Sequence, residues 1–292
     1  MFIFFALWTS LAFGSELQWS WAPDGQVAYR LEATLVSPQG QTWPAEKNLN
    51  ARVMETRISV ETRCAGKLDG KNWLVNCSLD TVELSGVPLP GTESTAQTVL
   101  LEYQNEMKGK TVNFRMGSDG RVKKFDLQGV NTRDSNHGLV LDGVRQILRR
   151  AFSPFDLQLP KNGDDRGKKW SQKGSPMVFE VMSAQGTAGG VSLKHLVSVR
   201  DGEAVRISSS GRAAVVDGAA IEAGASAMIR ISVSGTSQFN TSLGILDWSE
   251  VNTKTDHSAS NMQGLSQHGP PRYSARLGRV LESGEVLKAS AL

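Results

Sequence analysis

Apolar and polar residues alternate along most of this chain, and a period of two is typical of β-strands with one buried face. The clearest case is Val27–Leu35, where Tyr29 and Leu31 share one face while Arg30 and Glu32 take the other. Further segments with this pattern are Asn50–Arg63, Trp73–Leu84, Thr98–Met107, Thr111–Met116, Arg121–Leu127, Met177–Val181, Val191–Val199, Ala204–Ile207, Ala227–Val233 and Leu243–Val251. The sequence therefore predicts a mainly β fold of about ten or more strands.

Turn residues between these runs predict how the strands connect. Asp-Gly pairs occupy positions 24–25, 69–70, 119–120 and 201–202, each between strand-like segments. Asp-Gly favours tight two-residue turns, so consecutive strands are expected to form antiparallel hairpins. Within Asn50–Arg63 the apolar face changes phase, which is the signature of a β-bulge and curves a sheet.

One segment predicts a helix. In Gly138–Phe152 the apolar residues Val140, Val144, Ile147 and Leu148 recur at three- and four-residue steps, which places them on one side of a helix. Such a helix covers only part of the apolar surface that ten strands present. Two arrangements remain: a β-sandwich, in which two sheets cover each other, or a curved antiparallel half-barrel that wraps the helix and leaves an apolar hollow.

The half-barrel is the arrangement that phase-shifted strands favour, and its hollow would hold a lipid or another apolar ligand. The residues predicted to line that concave face are Tyr29, Leu31, Leu101, Tyr103, Val140, Val144, Ile147, Leu148, Phe179, Leu193, Ile229 and Ile231.

The chain has two cysteines, Cys64 and Cys77, on either side of a polar turn. If Asp69–Asn72 forms the hairpin loop, Leu68 faces Trp73 and the two cysteines lie directly opposite each other. Opposed positions on paired strands are close to the separation that a disulfide needs. We therefore predict a disulfide, the alternative being two buried thiols.

The amino terminus predicts export. Residues 2–13 are almost wholly apolar, but that run is shorter than the roughly 20 residues that cross a bilayer as a helix. Small residues near Gly14 suit signal cleavage before Ser15, although no Lys or Arg precedes the run and the true start could lie upstream. Residues 1–14 are thus interpreted as a signal peptide, and the mature protein is expected to be soluble and secreted or periplasmic.

The rest of the chain is interpreted as one β-rich body over 15–252, with possible halves 15–160 and 161–252. The charged stretch between Leu159 and Trp170 marks the boundary between them. Residues 253–292 are more polar and are expected to be a partly disordered tail. Within that tail, two runs around Ser283-Gly284 predict a closing hairpin or a short helix.

Composition and motifs argue against several classes of function. A net charge of only +3, with acids and bases interspersed, does not describe a nucleic-acid binder. The loop between Gly163 and Lys169 lacks the spacing and the Ser or Thr of a phosphate-binding loop. The four histidines follow no ligand-like spacing, and His195 is expected to be a hydrogen-bonded core residue. We therefore predict no enzyme, no cofactor and no metal site.

The order of parts resembles a known architecture. A long run of strands, a Cys-containing hairpin, one amphipathic helix and further strands resemble the curved half-barrel of the bacterial lipoprotein-carrier fold. Asn48–Val53, followed by Cys64 and Cys77, is similar to the vitellogenin amino-terminal lipid-binding module. Leu157–Pro160 before Gly167–Trp170 resembles exported bacterial members of the carrier fold.

This resemblance spans roughly residues 17–250, and it implies that the protein binds or transfers a lipid or acyl-chain ligand between the concave sheet and the helix. A lipidated protein and peripheral contact with a membrane are further partners that it implies. The chain is longer than a minimal carrier, which is a departure from that family. The alternative function is a cell-envelope structural or adhesive β protein whose apolar faces are consumed by its own core.

Overall fold

The structure, a computed structural model, describes residues 17–21, 25–44, 50–128, 135–160, 168–173, 188–216, 227–259 and 272–289. The predicted signal peptide at 1–14, the predicted strand Met177–Val181 and the candidate site residue Phe179 lie outside these ranges.

The described chain forms eleven strands, all antiparallel, in one sheet. The strands are β1 Val27–Pro44, β2 Asn50–Asp69, β3 Asn72–Pro88, β4 Thr111–Gly117, β5 Val122–Gln128, β6 Lys169–Lys173, β7 Ala188–Asp201, β8 Ala204–Val216, β9 Ala227–Asn240, β10 Ile245–Ala259 and β11 Arg272–Arg279.

Two helices, α1 Glu93–Met107 and α2 Ser135–Phe152, accompany the sheet, and a 3₁₀ turn at Ser153–Phe155 follows α2. Helix α2 includes the whole predicted segment Gly138–Phe152 and begins three residues earlier. Its main contacts are with β1, β2, β5, β11 and α1, while α1 packs on β2 and β3. Neither described helix is both long enough and apolar enough to cross a membrane.

The spatial order of the strands is β5-β4-β3-β2-β1-β11-β10-β9-β8-β7-β6, so the sheet has two open edges, at β5 and β6. This is the predicted curved antiparallel sheet around a helix, and the β-sandwich alternative is wrong. We call β1–β5 the N-terminal half of the sheet and β6–β11 the C-terminal half. The two halves meet where β1 pairs with β11.

The prediction of a strand at Thr98–Met107 is wrong, because this segment belongs to α1. The buried residues of α1 follow helical spacing: they are Ala96, Val99, Leu100, Tyr103 and Met107. β-Branched Thr98 and Val99, together with aromatic Tyr103, favour a strand by propensity, but packing on β3 decides for a helix. Leu101 consequently lies on the outer side of α1 with 54% of its surface exposed.

The sheet continues past the boundary that we predicted at residue 252. β10 extends to Ala259, and β11 pairs with both β10 and β1 near the middle of the sheet. The boundary was placed too early because Thr253 and Thr255 are polar, which suggested a solvent-exposed segment. Both residues lie buried on the inner face of the sheet. After β11 the chain turns at Ser283 and Gly284 and forms a bridge from Val280 to Val286, which is the hairpin alternative for this segment.

The hairpin turns after β2, β4, β7 and β9 lie together at one end of the sheet, which we call the turn end. Trp19 and Trp21 fill the interior there, stacked with their ring centroids 6.2 Å apart. Gly120 has a φ of +84°, and a Cβ at this position would lie 2.1 Å from the Trp19 indole nitrogen. Glycine at the β4–β5 turn therefore permits both the left-handed backbone and the close approach of Trp19.

Cys64 and Cys77 form the predicted disulfide. They are direct partners in the β2–β3 register, and Leu68 pairs with Trp73 as expected. The turn itself is tighter than we expected, since Asp69 and Asn72 are also paired and only residues 70–71 form the loop.

Replacing both cysteines with alanine is expected to lower the free energy of unfolding by about 3 kcal/mol, because a disulfide with a sequence separation of 13 constrains a loop of that size in the unfolded chain. Urea unfolding of the double variant, beside the reduced and oxidised native chain, measures this. Equal stability of the variant and the oxidised chain would show that the bridge contributes nothing.

Candidate functional site

One continuous inner face runs across the sheet. Cross-strand pairing links Val197, Ile207, Ser237, Ser249, Leu277, Leu31, Val60 and Val82 into a single row over eight strands, β7 to β3. Every side chain in this row is less than 6% exposed. The row joins the two halves of the sheet into one concave surface, and α2 lies on the part formed by β11, β1 and β2.

In the N-terminal half this surface is filled by the protein itself. A gap of about 10 Å³ beneath α2 is bordered by Ile58, Ile147, Arg150 and Tyr273, among others. A volume of that size holds about one water molecule. This gap is too small for an acyl chain.

Helix α2 is also fixed from its other side. A Cβ on Gly143 would lie 2.6 Å from the ring of Tyr103, so a glycine is required where α1 and α2 meet. Tyr103 in turn packs on Trp43 with ring centroids 4.8 Å apart, and burial raises the pKa of its phenol. Near the other end of α2, burial lowers the pKa of Arg150 to about 10, and the Tyr273 hydroxyl donates a hydrogen bond to the Arg150 carbonyl oxygen.

Most of the predicted ligand-lining residues are found on this surface or against it. Those in the N-terminal half or on the helices are fully buried, with at most 4% of their surface exposed: Tyr29, Leu31, Tyr103, Val140, Val144, Ile147 and Leu148. Leu193 and Ile231 lie on the inner face of the C-terminal half. Ile229 pairs in register with Val215 and His257 on the neighbouring strands. Leu101 is the exception, because it points away from the sheet.

The inner face of the C-terminal half differs in character. We call Leu193, Val197, Ile207, Ile231 and Val233 the inner wall; these residues come from β7, β8 and β9 and are at most 5% exposed. The main sheet contacts of α1 and α2 lie on other strands.

Buried hydroxyl groups lie beside the inner wall. The Ser237 and Ser249 hydroxyls are 2.8 Å apart, and the Thr253 hydroxyl donates to the Tyr273 carbonyl oxygen. An apolar surface with a few placed polar groups is the usual composition of a small-molecule site.

A buried network, which we call the polar seam, connects the two edges of the sheet. It consists of Asp156, Gln158, Gln172, His195 and Ser209. Asp156 Oδ1 accepts a hydrogen bond from the backbone N–H of Val122 on edge strand β5 at 3.2 Å. The same oxygen accepts from Gln172 Nε2 on the other edge strand, β6, at 3.3 Å. The carboxylate of Asp156 is 8% exposed and so bridges both edges from within the protein.

His195 is the central residue of the seam. Gln172 Oε1 is 3.2 Å from His195 Nε2, and Ser209 Oγ is 2.8 Å from Nδ1. Because Gln172 donates to Asp156 with its nitrogen, its oxygen must accept, so the His195 proton is on Nε2 and Nδ1 accepts from the Ser209 hydroxyl. This arrangement satisfies a neutral ring, and burial lowers the pKa of His195 to about 4. His195 is thus the hydrogen-bonded core residue that the alternation predicted.

The seam is anchored at the turn end by a second set of bonds. The Gln158 amide nitrogen donates to Asp119 Oδ2 at 2.9 Å, and the Leu159 N–H donates to the Asp119 carbonyl oxygen at 2.8 Å. The Trp170 indole donates to the Gln158 carbonyl oxygen at 2.7 Å. Trp170 also stacks on His195 with ring centroids 5.2 Å apart. Residues 156–159 therefore join the β4–β5 turn to β6.

Asp156, Gln172 and Ser209 are not among the site residues predicted from the sequence. Gln172 is two residues from Trp170 on β6, so strand alternation places both side chains on the same face. An amide is unusual on the inner face of a strand, and this position could have identified Gln172 from the sequence. Asp156 lies outside any strand or helix, so no periodicity marks it. Among the described residues, no three His, Cys, Asp or Glu side chains are gathered as metal ligands would be.

The similarity of this chain to known proteins is weak. No protein-family model matches the chain, and no curated protein matches it. The chain is similar to a solved structure of lipovitellin that describes lipid–protein interactions in lipovitellin. Its TM-score is 0.47 and its sequence identity is 14%. The match covers 94% of this chain but only 26% of the lipovitellin chain. A likeness at that score does not establish a shared function.

Acid is expected to destabilise the fold through His195. The pKa of this ring is 6.5 in the unfolded chain and about 4 when folded, so the unfolded chain binds the proton first. The free energy of unfolding is then highest above pH 6.5 and decreases by about 3 kcal/mol as the pH falls to 4 and below. Urea unfolding between pH 7.5 and 4 measures this loss. A His195→Gln variant should have a flatter profile; identical profiles for the variant and the native protein would refute the assignment.

Gln172→Leu is expected to cost about 3 kcal/mol, because it leaves the His195 N–H without its Gln172 acceptor and removes one of the donors to the buried Asp156 carboxylate. Gln128→Leu, at the exposed end of β5, is the matched control and should change stability by less than about 0.5 kcal/mol. Hydrogen exchange of β6 and of residues 156–159 should accelerate in Gln172→Leu. Unchanged exchange there would mean that the seam does not hold the edges together.

Proposed function

We propose that the protein binds an apolar ligand, a lipid or an acyl chain, on the inner wall of the C-terminal half, and that it does so without covalent chemistry. The observation that carries this proposal is how the helices contact one concave face. Its residues are buried in both halves, but the main sheet contacts of α1 and α2 lie outside β7–β9. In the N-terminal half α2 packs directly on β1 and β2. In the C-terminal half the apolar residues of β7–β9 lie outside the main contacts of both described helices.

Burial of methylene groups is sufficient to drive such binding. Each CH₂ transferred from water to an apolar surface contributes about 0.8 kcal/mol. A chain of ten carbons thus gains on the order of 8 kcal/mol before the entropy of association and ordering is subtracted. The buried hydroxyls of Ser237 and Ser249 offer hydrogen bonds to a polar group on the ligand.

The contact between Ser209 and His195 favours a second function, hydrolysis by an activated serine, because a nucleophilic hydroxyl needs a base within hydrogen-bond distance. The electrostatics oppose it. A ring whose pKa is about 4 is a weak acceptor for the serine proton near neutral pH, where a general base is most effective with a pKa close to 7. A structural role for His195 in the polar seam fits these properties better.

Export belongs to the same proposal. The apolar residues 2–13 followed by Gly14 favour a secretory signal. The Cys64–Cys77 disulfide is a feature of oxidising compartments such as the periplasm or the exterior of the cell. A carrier in those compartments would receive its ligand, or a lipidated protein, from a membrane and shield its apolar chain from water.

Two measurements test ligand binding. Mass spectrometry of organic extracts of the purified protein should detect co-purifying lipid, and a fluorescent fatty-acid analogue should bind saturably. Val233→Phe places a ring on the inner wall and should weaken binding of the fluorophore at least tenfold.

Val144→Phe is the control, because it adds the same ring to the core between α2 and the sheet at a comparable cost of about 1–3 kcal/mol. It should change the affinity less than twofold. Absence of both extracted lipid and saturable binding would favour the alternative, a structural β protein without a ligand. Equal losses in the two variants would show that the inner wall is not the site.

A further inference from the structure

The outer face of β6–β9 is strongly basic. Alternation places six cationic side chains on it, which we call the basic face: Lys169, Lys173, Lys194, Arg206, Arg212 and Arg230. All of them are exposed except Arg206, which is half-buried and lies 5.8 Å from the ring of Trp248. The only acidic residue within these four strands is Asp201, at the last position of β7.

Strand register brings these charges together. Lys194 is paired with Ser171 on β6 and with Ser210 on β8. In the next row outward along the strands, Ser192 pairs with both Lys173 and Arg212. The cations are therefore interleaved with hydroxyls rather than with carboxylates.

The outer face of the N-terminal half has the opposite arrangement. Several of its cations form local ion pairs, as in the pairs of Arg30 with Glu61 and of Arg63 with Asp80. None of the ion pairs between described residues includes a member of the basic face. Among the described residues, the outer face of β6–β9 therefore carries six cations that form no ion pair with another described residue.

A depression lies within this region. Its volume is about 380 Å³, and it is bordered by residues of β6, β7 and β8 that include Lys169, Lys194 and the run Ser208–Ser210. Ammonium groups and hydroxyls both donate hydrogen bonds to phosphate oxygens.

We propose that the basic face is a docking surface for an anionic phospholipid membrane. Charge complementarity selects a negatively charged partner, and a lipid surface with dispersed phosphates matches cations spread over four strands. Single-stranded nucleic acid is the less fitting partner, because it is held by aromatic side chains on which bases stack. The two rings near the basic face are already engaged: Trp170 stacks on His195, and Trp248 is 5% exposed and lies beside Arg206. Docking rests on these charges alone, so it stands or fails independently of ligand binding on the inner wall.

Vesicle sedimentation with the full chain tests this. The protein should bind vesicles of 70% phosphatidylcholine and 30% phosphatidylglycerol at 50 mM salt, and it should be released at 500 mM salt because surface charges are screened. It should not bind pure phosphatidylcholine vesicles. A basic residue near an anionic membrane contributes roughly a fivefold gain in partitioning. The triple variant Lys169→Glu, Lys194→Glu and Arg212→Glu should therefore bind at least a hundredfold more weakly.

The control is a second triple variant, Lys67→Glu, Lys71→Glu and Lys108→Glu, which makes the same change in net charge at exposed lysines elsewhere. It should bind within about threefold of the native protein, and circular dichroism should show both variants folded. Equal loss in the two triple variants would overturn the proposal, since net charge alone would then explain binding. Binding to pure phosphatidylcholine, or tighter binding to a 20-nucleotide single strand than to the anionic vesicles, would overturn it as well.

Discussion

The architecture depends on how one buried carboxylate joins two distant edges of a sheet. An antiparallel sheet that does not close leaves unpaired backbone groups on its first and last strands. Here the edges belong to β5 and β6, and Asp156 accepts hydrogen bonds from both of them. Burial makes these hydrogen bonds important for stability, because a carboxylate that is removed from water costs free energy unless hydrogen-bond donors replace the water. Gln172 and His195 continue the network, so that the two edges are held by side chains where strands would otherwise pair.

The two halves of the inner face, which these side chains link at the sheet edges, are packed differently. In the N-terminal half, α2 packs on β1 and β2, and Trp21 packs on Tyr29 and Phe114. The 3₁₀ turn contacts β10 and β11, and Trp19 packs on Phe239 of β9. The inner face of the C-terminal half combines aliphatic side chains with buried serine and threonine hydroxyls. On β6–β9 the outer face is basic. Strands β6–β9 thus have an apolar inner side and a cationic outer side. The proposed lipid site and the proposed membrane-docking surface would lie on opposite faces of these strands.

Much of the sheet could be predicted from the sequence because a period of two directly reports which side of a strand is buried. Tyr29, Leu31 and the Cys64–Cys77 pair are found on the predicted face and in the predicted register. Helix α1 was missed because Thr98, Val99 and Tyr103 favour strands individually. The seam could not be predicted, since Asp156, Gln172 and His195 come from separate parts of the chain and only the closed fold brings them together. β11 was obscured by the polar stretch before it.

The position of β11 has a consequence for how the chain reaches this fold. β1 is completed on one side by β2, its neighbour in sequence, but on the other side by the last strand of the sheet. A ribosome delivers these two partners almost a whole chain length apart. Until β11 arrives, one side of β1 is an exposed edge that can pair with other strands. Contacts of such long sequence separation also slow folding. The newly made chain is therefore at risk of aggregation during this interval, and delaying collapse, as a chaperone or a secretion pathway does, would protect it.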